Sequence, residues 1–125
     1  MMEQLLLHLV GDYITQTDWM AQNKTKCIWA ASFHAFVYSW PFFLLGISLW
    51  AWFVIFITHT LIDHFRLARY VVFAKNWLTN PSFRWADCNV TGYHKDTPPW
   101  LAFWLLIIAD NTMHLVINYM AIRYL

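Results

Sequence analysis

A chain of 125 residues that is 60% hydrophobic, 20% aromatic and only 12% charged lies outside the range of soluble domains, about one quarter of whose residues are charged. The bilayer is the solvent this composition suits. The length supports one domain over residues 1–125, and a formal net charge of +1 gives no basis for a nucleic-acid partner, so lipids and membrane proteins are the expected partners.

The first four residues hold one acid and no base, and Gly11, Asp12, Thr15 and Gln16 follow without a small-residue cleavage site. The opening segment is therefore expected to be a retained helix rather than a signal peptide. From Gln4 to about Met20, the residues Gln4, His8, Asp12, Thr15 or Gln16, and Trp19 recur at spacings of three and four, which gives a short helix with one polar face turned inward. Cys27 to Ile62 is nearly free of charge, too long for one span of ~20 residues and suited to two helices that turn back on each other. Gly46 suits the end of the first, Ser48 the N-cap of the second, and Pro41 a kink. The polar stretch from Lys75 to Thr97 reads as an ordered loop or short interfacial helix, with Trp77, Phe83, Trp85 and Tyr93 at headgroup level. Pro98-Pro99 then opens a last span, Trp100 to Leu125.

The expected fold is all-α, an integral membrane bundle of four helices with a long amphipathic loop between helices 3 and 4. Lys24, Lys26, Arg66, Arg69, Lys75, Arg84 and Lys95 belong to the connections 1–2 and 3–4 or to adjoining helix ends, and only Arg123 lies elsewhere. The positive-inside rule puts both connections in the cytoplasm of a multi-pass inner-membrane protein. Cys27 and Cys88 fit no C-x-x-C pattern and read as packing or loop residues. Nine Trp and ten Phe serve lipid contact or a homo-oligomer interface equally well.

Ionisable residues inside apolar spans cost about 2.5–3.5 kcal/mol each on insertion scales, so each asks for a reason. Three helices carry His and Asp four residues apart, as His8/Asp12, His59/Asp63 and Asp110/His114, which stacks both side chains on one face. The depths agree too. His34 and His59 lie symmetrically about Gly46-Ile47, each roughly 18 Å away along its helix. Asp12 and His34 are equidistant from Asn23, and Asp110 is about 12 residues into the last span, again roughly 18 Å. Three carboxylates in one low-dielectric layer need compensating cations.

The seven residues His8, Asp12, His34, His59, Asp63, Asp110 and His114 are thus the expected ligands of one or two divalent metal ions, zinc before iron or manganese. Asp12, Asp63 and Asp110 are the candidate catalytic carboxylates. Lys24 and Arg66, at the cytoplasmic mouth, are candidates for holding an anionic headgroup as well as positive-inside anchors. Together they describe a metal-dependent hydrolase of an amphiphilic or lipid-linked substrate, a phosphoester among the candidates. Two other classes stay open: a non-enzymatic membrane interaction protein with a structural metal or polar network, and an ion or proton conduit. His64 points about 100° away from Asp63 and reads as a rim residue, and His94 has no positional support.

The stretch His8-Leu9-Val10-Gly11-Asp12-Tyr13-Ile14-Thr15-Gln16-Thr17-Asp18-Trp19-Met20-Ala21-Gln22-Asn23-Lys24 resembles the opening signature of a bacterial and phage membrane family, domain of unknown function 3307. His34, Thr58-His59-Thr60-Leu61-Ile62-Asp63 and Asp110-Asn111-Thr112-Met113-His114 resemble its later blocks, so the likeness covers nearly the whole chain. It implies the residue set and no activity. A more distant analogy is to YdjM-like membrane-bound metal-dependent hydrolases, which also carry His and Asp in short helical bundles.

Overall fold

The computed structural model describes all 125 residues, and its regular structure is helical throughout. Seven α-helices follow in order: α1 (Met2–Leu9), α2 (Asp18–Asn23), α3 (Ile28–Ser39), α4 (Leu49–Phe65), α5 (Ala68–Thr79), α6 (Trp85–Cys88) and α7 (Pro99–Tyr124). A π-helical turn, Val10–Ile14, continues α1, and a 3₁₀ turn, Trp40–Leu45, continues α3. Two stretches, Ile28–Leu45 and Pro99–Tyr124, are long and apolar enough to cross a membrane. α4 is also apolar but has 17 residues, which at 1.5 Å each gives about 25 Å.

The chain divides into two compact units. The first comprises Met1–Phe65 and His114–Leu125. Here α3 and α4 run back on each other about Gly46, which ends the 3₁₀ turn in the left-handed region at φ +68°, while Ser48 Oγ accepts the Ala51 N–H at 3.0 Å and caps α4. Pro41 sits at the start of the 3₁₀ turn, where the backbone leaves the regular hydrogen bonding of α3. Ala30, Ala31 and Ala35 are fully buried along α3, and such small residues let helix backbones approach closely. The core continues through Tyr38, Phe42, Ala51, Ile55 and Ala121. Gln4 Nε2 donates to the Leu115 carbonyl at 2.7 Å, tying α1 to the end of α7.

The opening segment differs from the single helix expected. The Thr17 side chain accepts the Met20 N–H at 3.3 Å and starts α2 afresh, with Thr17 itself extended at φ −79°, ψ 163°. Before that break the backbone widens: Thr15 N–H reaches back five residues to Val10 O at 3.0 Å, and Thr15 Oγ1 donates to Gly11 O at 3.0 Å. The turn is widened where Gly11 meets the Tyr38 ring, so that a Cβ on Gly11 would overlap Tyr38 Cδ2.

The second unit, Arg66–Met113, holds α5, α6 and the first part of α7. Its polar connection starts later than expected, because α5 runs on to Thr79. Arg66 adopts φ +52° between α4 and α5, and its guanidinium donates to Val90 O at 2.9 Å. Gly92, at φ +86°, lies against α5 so tightly that a Cβ would meet Arg69 O and, at 2.8 Å, Phe73 N. The Arg69 guanidinium packs over Tyr70 and Trp85 and donates to Asn89 O at 3.0 Å. Lys95 Nζ donates to Asp87 Oδ1 at 2.8 Å, which holds the Asp87 carboxyl below the usual range.

Candidate metal centre

Four segments of the first unit aim polar side chains at one buried point. Asp12 comes from the π turn, His34 from α3, His59 and Asp63 from α4, and His114 from α7. Two groups of donors converge: Asp12 with His34 and His59, and His59 with Asp63 and His114. The imidazoles of His34, His59 and His114 are 1% exposed or less.

The separations carry chemical information. Asp12 Oδ1 lies 3.3 Å from His34 Nε2 and 3.3 Å from His59 Nε2. Asp63 Oδ2 lies 3.3 Å from His34 Nε2 and 3.4 Å from His59 Nε2, and the two Nε2 atoms are 3.1 Å apart. Tetrahedral zinc with N and O bonds of about 2.0–2.1 Å places its ligand atoms about 3.3 Å from one another. Protons alone do not satisfy this cluster. An ionised carboxylate only accepts, a protonated one gives a single O–H, and each Nε2 holds at most one hydrogen, so five contacts share two protons with both acids ionised and at most four otherwise. Asp12 Oδ1 is left buried without a hydrogen bond. A cation at the centre would serve all four lone pairs, so the residues present fit a divalent metal.

Lys24, from the connection between α2 and α3, brings the one cation the structure places on this cluster. Its Nζ donates to Asp63 Oδ2 at 2.8 Å, and His64 Nδ1 contacts the Lys24 carbonyl at 3.0 Å. Asp63 is the most heavily engaged carboxylate: Oδ2 faces Lys24 and two imidazoles, while Oδ1 faces His114 Nε2 at 3.3 Å. The rings also pack on one another. Tyr38 stacks on His59 with centroids 3.8 Å apart, and His114 packs on it at 4.1 Å. That packing orients His59, whose Nδ1, like that of His34, is buried without the outer hydrogen bond usual for a metal-bound imidazole.

Of the seven ligands expected, Asp12, His34, His59, Asp63 and His114 make up the two groups. His8 stands one step out: its Nδ1 contacts the Tyr38 hydroxyl at 2.7 Å and its Nε2 lies 3.6 Å from Asp12 Oδ2. Asp110 is half-buried on the part of α7 that belongs to the second unit and is in neither group. Arg66 also lies in the second unit, bonded to Val90 O. His94 pairs with Asp96 at 3.2 Å and packs on Phe83.

Two buried polar residues did not stand out in the sequence, Tyr38 and Asn118, whose Nδ2 donates to the Tyr38 hydroxyl at 2.5 Å. The signal was there: Tyr38 follows His34, and Asn118 follows His114, by one helical turn. The chain matches no family model, no curated protein and no solved structure.

Proposed function

We propose that this protein is a membrane-embedded, metal-dependent hydrolase of an amphiphilic or lipid-linked substrate, with zinc as the metal. The observation that carries it is the convergence of Asp12 Oδ1, His34 Nε2, His59 Nε2 and Asp63 Oδ2 at separations of 3.1–3.4 Å. Asp12, His34 and His59 suffice to hold one ion, the two-nitrogen, one-oxygen set of a catalytic zinc. Such an ion lowers the pKa of water and polarises a carbonyl or phosphoryl oxygen. Asp63, steadied by Lys24 and His114, would accept a proton beside that site, and Lys24 would face the anionic part of the substrate. Its side chain is 22% exposed against 3% for Asp63, which makes it the polar edge by which substrate reaches the cluster.

Membrane embedding is supported by the exposed apolar surface of the two long helices. Trp29, Phe33, Phe36 and Trp40 on the first, and Trp100, Phe103, Trp104, Ile107 and Ile108 on α7, all face outward. The inner membrane, with Lys24 on the cytoplasmic side, follows from the distribution of basic residues. A second reading, a structural metal closed by all four donors, is favoured by the near-complete burial of the imidazoles.

Chelator-free purification with elemental analysis tests the metal, and less than about half an equivalent of any transition metal refutes both readings. Asp63→Asn separates them. The hydrolase reading expects retained metal with loss of metal-dependent headgroup release from a lipid panel, and the structural reading expects loss of the metal itself.

A further inference from the structure

A polar chain runs through the core behind Asp12, and its hydrogen bonds have a direction. Asn118 Nδ2 is an amide N–H group and can only donate, and it donates to Tyr38 Oη at 2.5 Å. Tyr38 Oη lies 2.7 Å from His8 Nδ1. With Asn118 supplying a donor to the oxygen, the hydroxyl proton can be given to His8 Nδ1 at 2.7 Å. That nitrogen is then the acceptor of a neutral imidazole, and the ring proton sits on Nε2. His8 Nε2 faces Asp12 Oδ2 at 3.6 Å, an electrostatic contact rather than a full hydrogen bond. All three relay side chains are 1% exposed or less.

We infer that Tyr38 and Asn118 are positioning residues that fix His8 in its Nε2–H tautomer and so aim a donor at the outer oxygen of Asp12, turning Oδ1 toward His34 and His59. The inference rests on the metal-centre reading for its consequence, though not for its geometry. Asp12 needs such help because it sits on a π turn rather than a regular helix. Its two oxygens divide their roles: Oδ2 faces His8, and Oδ1 faces the two imidazoles. Tyr38 adds a second hold, since its ring stacks on His59. One buried tyrosine thereby sets a carboxylate through its hydroxyl and an imidazole through its face. Outer partners of this kind typically govern metal affinity by 10–100-fold.

The direct test is nitrogen NMR of the full chain in detergent micelles, labelled with ¹⁵N-histidine and stripped of metal. His8 is expected as a single neutral tautomer with the proton on Nε2, and an Nδ1–H or averaged tautomer overturns the inference. Asn118→Asp replaces the donor by an acceptor, so the Tyr38 proton turns toward residue 118 and His8 must place a proton on Nδ1. Tyr38→Phe leaves His8 Nδ1 unbonded and shifts its resonance accordingly. An unchanged His8 spectrum in both variants overturns the inference, and if neither variant folds the wild-type spectrum decides alone. With cobalt as the probe metal, Tyr38→Phe should weaken binding about 10-fold or more while the visible spectrum keeps its form. A changed cobalt spectrum in His8→Gln would make His8 a ligand and overturn its positioning role. A chain that shows the Nε2–H tautomer but takes up no cobalt supports the relay and refutes the metal reading, so the two failures are told apart.

Discussion

Replacing Gly11 by alanine tests the packing on which the site depends, because two effects of opposite sign meet at one methyl group. On propensity alone, Gly→Ala inside a helix stabilises by about 0.5–1 kcal/mol. In this structure the new Cβ would overlap Tyr38 Cδ2 and lie 3.1–3.2 Å from Cε2 and Cγ. Tyr38 cannot swing aside cheaply. It is fully buried, its hydroxyl is held by His8 and Asn118, and its ring stacks on His59 at 3.8 Å. Overpacking of this kind costs about 1–3 kcal/mol, and each hydrogen bond of the hydroxyl that breaks adds about 1 kcal/mol. With one of those bonds broken, subtracting the propensity gain leaves Gly11→Ala destabilising by about 1–3.5 kcal/mol. Reversible unfolding in mixed micelles measures this, and the same substitution in a Tyr38→Leu background isolates the clash. There the penalty should fall by about 0.5–3 kcal/mol, the range of coupling between touching residues. A stabilising Gly11→Ala, or a cost unchanged in the Tyr38→Leu background, would refute the close approach of the π turn to Tyr38.

Single substitutions His34→Ala, His59→Ala and Asp12→Ala should each remove most bound metal, whereas His94→Ala should leave it intact, as read by metal content per chain. Lys24→Met strips Asp63 Oδ2 of its 2.8 Å partner, and removing one member of a buried pair costs about 3–5 kcal/mol at full burial, less here because Lys24 is partly exposed. Adding zinc should restore much of that loss, about 2.7 kcal/mol at 100 times Kd, and a melting temperature blind to zinc would contradict the shared site. Cys27 is exposed while Cys88 is buried, and burial pushes the Cys88 thiol pKa up. A maleimide should therefore label Cys27 first, with Cys88 reacting only at higher pH or after unfolding. An impermeant maleimide reaching Cys27 from the periplasmic side alone would overturn the proposed sidedness. Gly92→Ala should cost the second unit several kcal/mol, since φ +86° and the contact with Arg69 O both oppose a side chain, and limited proteolysis of that unit reads the loss.

The structure brings together Asp12, His34, His59, Asp63 and His114, five of the seven residues the sequence pattern singled out, for a definable reason. Helical periodicity fixes which face a side chain occupies, and turn positions fix its depth, so His34 and His59 pair across Gly46 on spacing alone. The His59–Asp63 spacing became a 3.4 Å contact. What the pattern did not carry was set by tertiary crowding. The π turn passes close against the Tyr38 ring at Gly11, a contact between residues 27 apart in sequence. The split of the first helix depends on a local competition that Thr17 wins by capping α2. Tyr38 and Asn118 were legible in principle, as polar residues one turn beyond His34 and His114. Their hydroxyl and amide are buried as deeply as the His and Asp side chains beside them. His8 shared the stripe and the depth of the ligands, and only the direction of its ring separates it from them.

The π turn also makes the site sensitive to chain length. It accommodates one residue more per hydrogen-bonded loop than an α-helix does, closing from Thr15 back to Val10. Deleting one residue after Asp12 is a change that such a turn can absorb, by closing as a regular α-helix with both flanks kept in register. Inserting one residue between His8 and Asp12 adds about 100° of rotation and carries Asp12 off the face it shares with His8. A one-residue insertion here would therefore do more harm than many conservative substitutions, because the register of the turn places the carboxylate as much as the identity of the residue does.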